Sequence, residues 1–161
     1  MRCTRWMTAL AGAFGLIGAE VGAQTAGQTV RFSVVPISRV SVSVAPTPLV
    51  VNTAVAGNAP TSARVARATW VISTNEANQK VVASIDQPMP NGLLLAVSLD
   101  APTGAHSAGA TSLGTASVDL VTGVSAVSSM SLAVVYSLSS TSQAADAGGV
   151  RLVTFTITAG Q

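Results

Sequence analysis

Ile37-Ser38-Arg39-Val40-Ser41-Val42-Ser43-Val44 is the stretch from which the fold can be read. Val40, Val42 and Val44 fall on one side of an extended chain, and Ser41 and Ser43 fall on the other. That period of two belongs to a β-strand with one buried and one solvated face. The same pattern recurs along the chain. Val153, Phe155 and Ile157 oppose Thr154, Thr156 and Thr158. Leu132, Val134, Tyr136 and Leu138 form an inward row, as do Ala68, Trp70 and Ile72. Val81, Ala83 and Ile85 alternate with Lys80, Val82, Ser84 and Asp86, and Leu93, Leu95, Val97 and Leu99 with Leu94, Ala96 and Ser98. β-Branched side chains dominate these runs, and their stiff rotamers suit a pleated surface. Alternation of this kind marks antiparallel strands, because strands buried on both faces read as continuous apolar runs.

Turn chemistry separates the runs. Thr74-Asn75-Glu76-Ala77-Asn78-Gln79 reads as a short polar hairpin loop. Asp86-Gln87-Pro88-Met89-Pro90-Asn91-Gly92 carries two prolines and an Asn-Gly, and Asp100-Ala101-Pro102-Thr103-Gly104 closes the next strand. Gly104 to Gly114 reads as the most flexible segment, and Gln143 to Gly149 links the last two strands. Pro46 and Pro48 interrupt the early strands. No capped 3.6-residue stripe follows residue 23, so no long helix is expected there. The expected fold is an all-β antiparallel sandwich of about seven to nine strands, with a closed barrel as the alternative.

The N-terminus reads as an export signal. Arg2 and Arg5 precede an uncharged, mostly apolar run from Trp6 to Ala19, and Val21-Gly22-Ala23 precedes Gln24. Positive, apolar and small-residue regions in that order make a secretory signal peptide. The run is short and rich in Gly for a spanning helix, which needs about 20 apolar residues. The expected organisation is a signal-peptide helix over 1–23, cut after Ala23, and a single sandwich domain over 24–161. The expected location is the periplasm, the cell surface or the extracellular space. Cys3, the only cysteine, leaves with the signal, so the core must hold the domain together without disulfides. Leu120 to Ala145 is uncharged but interrupted throughout by Ser and Thr, so no membrane span is expected after cleavage.

Composition narrows the chemistry. The 161 residues carry a net charge of +2, and 9% are charged, where about a quarter is usual. One His and one Cys cannot supply the three or four ligands of a zinc site. The few cations make no phosphate-binding footprint, so no nucleic-acid partner is expected. Arg64, Arg67 and Lys80 are the candidates for a basic patch, with an ordinary solvated sheet face as the plainer reading. His106 stands in Ala105-His106-Ser107-Ala108-Gly109, which echoes a nucleophile elbow but lacks its first glycine, a following helix and a second histidine. Glu76, Asp86, Asp100, Asp119 and Asp146 are scattered, and no loop holds the carboxylates that calcium needs. Phe32, Trp70, Tyr136 and Phe155 fall on apolar rows, where core packing is favoured over a sugar platform. No catalytic residue, metal or cofactor is expected, and the chain reads as non-enzymatic.

What remains is a surface of Ser, Thr, Ala and Gly with few charges to guard its strand edges. Gln28-Thr29-Val30-Arg31-Phe32-Ser33-Val34 alternates directly after the cleavage site. It is either the first strand of its own sandwich or, over Thr29, Val30, Arg31, Phe32, Ser33 and Val34, an edge or donor strand for a partner. The order of an exported chain without cysteine, the early Val40–Val44 strand, the Thr74-Asn75-Glu76-Ala77-Asn78-Gln79-Lys80-Val81 passage, a Leu-rich strand and the final Val153–Thr158 strand resembles the cysteine-free bacterial fimbrial subunits and the related secreted immunoglobulin-like domains of the spore-coat-U type. The resemblance spans residues 28–158 in pattern. It implies an immunoglobulin-like sandwich acting as a structural or adhesive subunit, completed by strand exchange with a copy of itself or another envelope or surface protein. The terminal Thr158-Ala159-Gly160-Gln161 lacks the penultimate aromatic of many fimbrial subunits. The alternative functional expectation is a secreted ligand- or carbohydrate-binding module.

Overall fold

The computed structural model describes residues 25–43, 46–144, 146 and 148–161, and for residues 66 and 67 the backbone alone. The expected signal helix and Val44 lie outside the described residues. The chain divides into two units, Met1–Ser33 and Val34–Gln161. In the first, residues 25–33 form neither strand nor helix.

The second unit is an all-β, two-sheet sandwich. Among the described residues it has nine strands: β1 (Ser38–Val42), β2 (Ala63–Thr74), β3 (Gln79–Ile85), β4 (Leu93–Leu99), β5 (His106–Ser107), β6 (Thr111–Ser112), β7 (Val118–Val124), β8 (Val127–Ser140) and β9 (Val153–Ala159). One sheet runs β1-β2-β8-β4-β6, the other β5-β7-β3-β9, and each pairing is antiparallel. The inward rows meet in one core. Ala68, Trp70 and Ile72 of β2, Leu95, Val97 and Leu99 of β4, and Val134 and Tyr136 of β8 face Val81, Ala83 and Ile85 of β3 and Leu120, Val121 and Val124 of β7. Trp70 is fully enclosed, and its indole Nε1 donates to the Asp100 carbonyl at 3.1 Å, so its polar atom is not stranded.

The long strands keep their apolar rows inward by means of bulges. Between the pairs Trp70↔Leu132 and Ile72↔Ser129, β8 carries one residue more than β2. Ser131 absorbs it at φ 61°, which leaves Met130 exposed. The shift returns Leu132, Val134, Tyr136 and Leu138 to the core side. β7 carries extra residues opposite β3, with Gly123 at φ 72°, and so buries the consecutive pair Leu120 and Val121. Val82, expected outward, is buried as well, beside the irregular register of β3 against β7.

Two expectations are corrected and a third gains detail. Thr74 to Gln79 does not turn a hairpin, because β2 and β3 belong to different sheets and the loop crosses between them. Its polar groups make the crossing. Asn75 accepts from Ile37 N at 2.7 Å and donates to the Val35 carbonyl at 2.9 Å, while the Thr74 hydroxyl accepts from Glu76 N at 3.1 Å. Gly104 to Gly114, expected as the most flexible segment, holds the two-residue strands β5 and β6, one on each sheet. Gln28 to Val34 is not the first strand of the sandwich; the first strand is β1, beginning at Ser38.

Candidate functional site: an open seam and an adjoining cavity

The sandwich is closed unevenly. β1 is an edge of one sheet and β9 an edge of the other. The two approach each other without pairing. Their inward rows show the consequence. Val40 and Val42 of β1, and Val153, Phe155 and Ile157 of β9, are only half-buried, whereas Trp70 and Ile72 of neighbouring β2 and Val81, Ala83 and Ile85 of neighbouring β3 are sealed. A cleft of about 620 Å³ runs along this seam between Ser38–Ser41, Val71–Ser73 and Phe155–Ile157. β9 pairs with β3 alone over its full seven residues, and it carries no charge, proline or bulge to discourage a further strand.

A second cavity, of about 640 Å³, opens beyond the Val42 end of the seam. Leu95, Leu138, Met89 and Leu49 supply aliphatic wall, and Phe155 and Val42 are shared with the seam. Tyr136 lines it, and burial raises its phenol above the ordinary value of 10.0. Arg151 stands at the same cavity, its Nε and Nη2 donating to the Pro88 carbonyl at 3.1 and 2.8 Å.

The segment singled out in the sequence, Thr29 to Val34, forms no strand, and its apolar row is uncovered. Val30 is 73% exposed, Phe32 90% and Val34 79%. Phe32 therefore departs from the core-packing expectation, while Trp70 and Tyr136 meet it and Phe155 sits half-buried at the seam. The other sequence candidates are not brought together. Arg64 projects from β2 and Lys80 from β3, on different sheets, and Lys80 pairs with Asp119 at 3.1 Å, so the two do not form one basic patch. Arg67 lies among the side chains outside the description. Ser107 Oγ donates to the Leu99 carbonyl at 2.6 Å and accepts from Gly109 N at 3.1 Å, so it serves a turn while neighbouring His106 is exposed. Glu76 accepts from the Ser38 hydroxyl at 3.0 Å and Asp86 from Leu152 N at 3.0 Å. Among the described residues no three metal-binding side chains converge, and no helix is long and apolar enough to cross a membrane.

Sequence reading found the β9 row but not its position at an open edge, which depends on strand order. It missed the cavity altogether, since Leu49, Met89 and Arg151 come from three separate connections with no shared local pattern. The chain matches no model of a known protein family and no curated protein.

Proposed function

We propose that the chain is an exported, non-enzymatic subunit of a fimbria-like or adhesive cell-surface assembly, and that copies join by strand exchange. In this reading Thr29-Val30-Arg31-Phe32-Ser33-Val34 of one copy adds along the β1–β9 seam of the next. The open seam is the observation that carries the proposal. Two edge strands there leave backbone groups unpaired and apolar rows half-covered, and an added strand satisfies both. Gln28 to Val34 has as many residues as β9 and the same alternation, with Val30, Phe32 and Val34 on one side. Its apolar side chains are exposed, so docking removes them from water at about 25 cal/mol per Å². The scarcity of charge fits a surface selected for contact with copies. The carbohydrate-binding alternative draws no support from Trp70 and Tyr136, which are buried.

Crosslinking tests the reading. Copies carrying Phe32→Cys, mixed with copies carrying Ile157→Cys and oxidised gently, are expected to give a disulfide-linked heterodimer on non-reducing electrophoresis. Phe32→Ser is expected to shift the purified chain towards monomer in light scattering. Absence of the heterodimer, with a chain that stays monomeric at high concentration, overturns the proposal.

A further inference from the structure

We propose that the cavity beside Tyr136 is a binding site for a linear alkyl carboxylate, its chain lying against Leu95, Leu138 and Met89 and its head group meeting Arg151. The proposal is independent of the assembly reading, although Val42 and Phe155 border both features.

The walls select an alkyl chain. They are mostly aliphatic and thioether surface, and the two rings among them are buried, Tyr136, or half-buried, Phe155. A volume of about 640 Å³ lies within the range of small-molecule sites, and a chain of about ten carbons fits such a space. Two polar groups stand against these walls. The Tyr136 residue is 6% exposed, yet among the described residues nothing hydrogen-bonds to its hydroxyl, and none of the sealed polar atoms lacks a partner. Tyr136 lines the cavity.

Arg151 supplies the charge. Its guanidinium is fixed by three hydrogen bonds, all to neutral carbonyls: Nε and Nη2 to Pro88, and Nη1 to Val150 at 2.9 Å. Carbonyls hold the plane of the group without cancelling its charge. Asp86 accepts from Leu152 N, and among the described residues the single ion pair is Lys80–Asp119. One fixed guanidinium beside apolar walls suits a carboxylate, which it meets with directed N–H groups. A phosphate head would call for more cations than the cavity offers.

Calorimetric titration of the purified chain with decanoate, decanol and decyltrimethylammonium tests this. The same titrations run on the Phe32→Ser chain, in which a donated strand cannot compete for Phe155, so a failure here is distinguishable from a failure of the assembly reading. Decanoate is expected to bind one to one. Decanol is expected to bind about ten- to a hundredfold more weakly, the share of one charge-assisted hydrogen bond. Arg151→Gln is expected to erase the preference for decanoate over decanol. Leu95→Trp, which fills the cavity, is expected to abolish both, and Leu49→Trp provides the same block from outside the strands should the first variant not fold. The absence of saturable binding in both chains overturns the proposal. So does equal affinity for the three amphiphiles, or decanoate binding that survives both tryptophan substitutions.

Discussion

Tyr136 is the single tyrosine of the chain, so its ionisation can be followed without interference. Burial raises its pKa in the fold, because the phenolate is disfavoured away from water. The unfolded chain ionises near the ordinary value of 10.0, and the folded chain above it. Between the two the unfolded state has released a proton that the folded state retains. The stabilising contribution is thus complete below the unfolded pKa and is lost as pH rises through the folded one. Denaturant titrations of the wild type should show stability falling in that alkaline window. Tyr136→Phe should remove this component, and the phenolate absorbance should appear later in the folded chain than in denaturant. A decline of equal size in Tyr136→Phe would assign the loss to other groups. Gly92 makes a second single-residue case. It sits at φ 79°, its carbonyl accepts from Thr141 N at 2.8 Å, and an added Cβ would stand 2.7 Å from the backbone N of Ala144. Gly92→Ala therefore meets both backbone strain and a wall that cannot rotate away. A loss of about 1–3 kcal/mol is expected in chemical denaturation.

At the scale of the element, β9 separates folding from association. Its inner face contributes Val153, Phe155 and Ile157 to the core, whereas Thr154 and Thr156 face water, and its free edge lies along the seam. Thr156 is outward and opposite Val82 of β3, so a lysine there leaves the inner row intact. Natural edge strands use lysine to resist a further strand, since its charge must be desolvated when a neighbour docks. Thr156→Lys is expected to change unfolding free energy by less than about 0.5 kcal/mol, in line with surface substitutions generally. The same variant should lower the yield of the Phe32–Ile157 crosslinked pair. Unchanged association in sedimentation, with the fold intact, would place the contact away from the β9 edge. β1 is the complementary edge. It is held at its start by Ser38, whose hydroxyl lies 2.9 Å from that of Thr74 and donates to Glu76 at 3.0 Å, and at its end by Ser43, whose hydroxyl accepts from Thr69 N at 2.9 Å. The short strand is fixed at both ends while its inward face stays half-covered.

At the scale of the whole molecule, what local alternation could and could not reveal follows from how far each determinant reaches along the chain. The rows Ala68–Trp70–Ile72 and Leu95–Val97–Leu99 are legible because side-chain direction in a strand is set by the adjacent residues alone. β7 was hidden, since Leu120 and Val121 are both buried and Gly123 breaks the alternation, and the register shifts against β3 that explain this are a property of the pair. The crossing at Thr74–Gln79 looked like a hairpin because the polar composition of a short loop does not say which sheet the chain enters next. The open seam was illegible for the same reason: β1 and β9 stand at opposite ends of the sequence, and only strand order makes both of them edges. Their shared core carries the last prediction. Both sheets contribute to one apolar cluster, and Val34–Gln161 contains no cysteine, so burial alone must hold the two sheets together. Trp70 is enclosed in the first sheet, and Val81 and Val121 of the second belong to the same cluster. Losing either sheet therefore exposes the inner face of the other, which makes partial unfolding costly and the transition cooperative. Denaturant unfolding followed by Trp70 fluorescence and by the β-sheet circular-dichroism signal is expected to give coincident curves, unchanged by reducing agent. Two separated transitions would mean that the sheets are stable apart, and the seam would then be a boundary between halves rather than the open edge of one body.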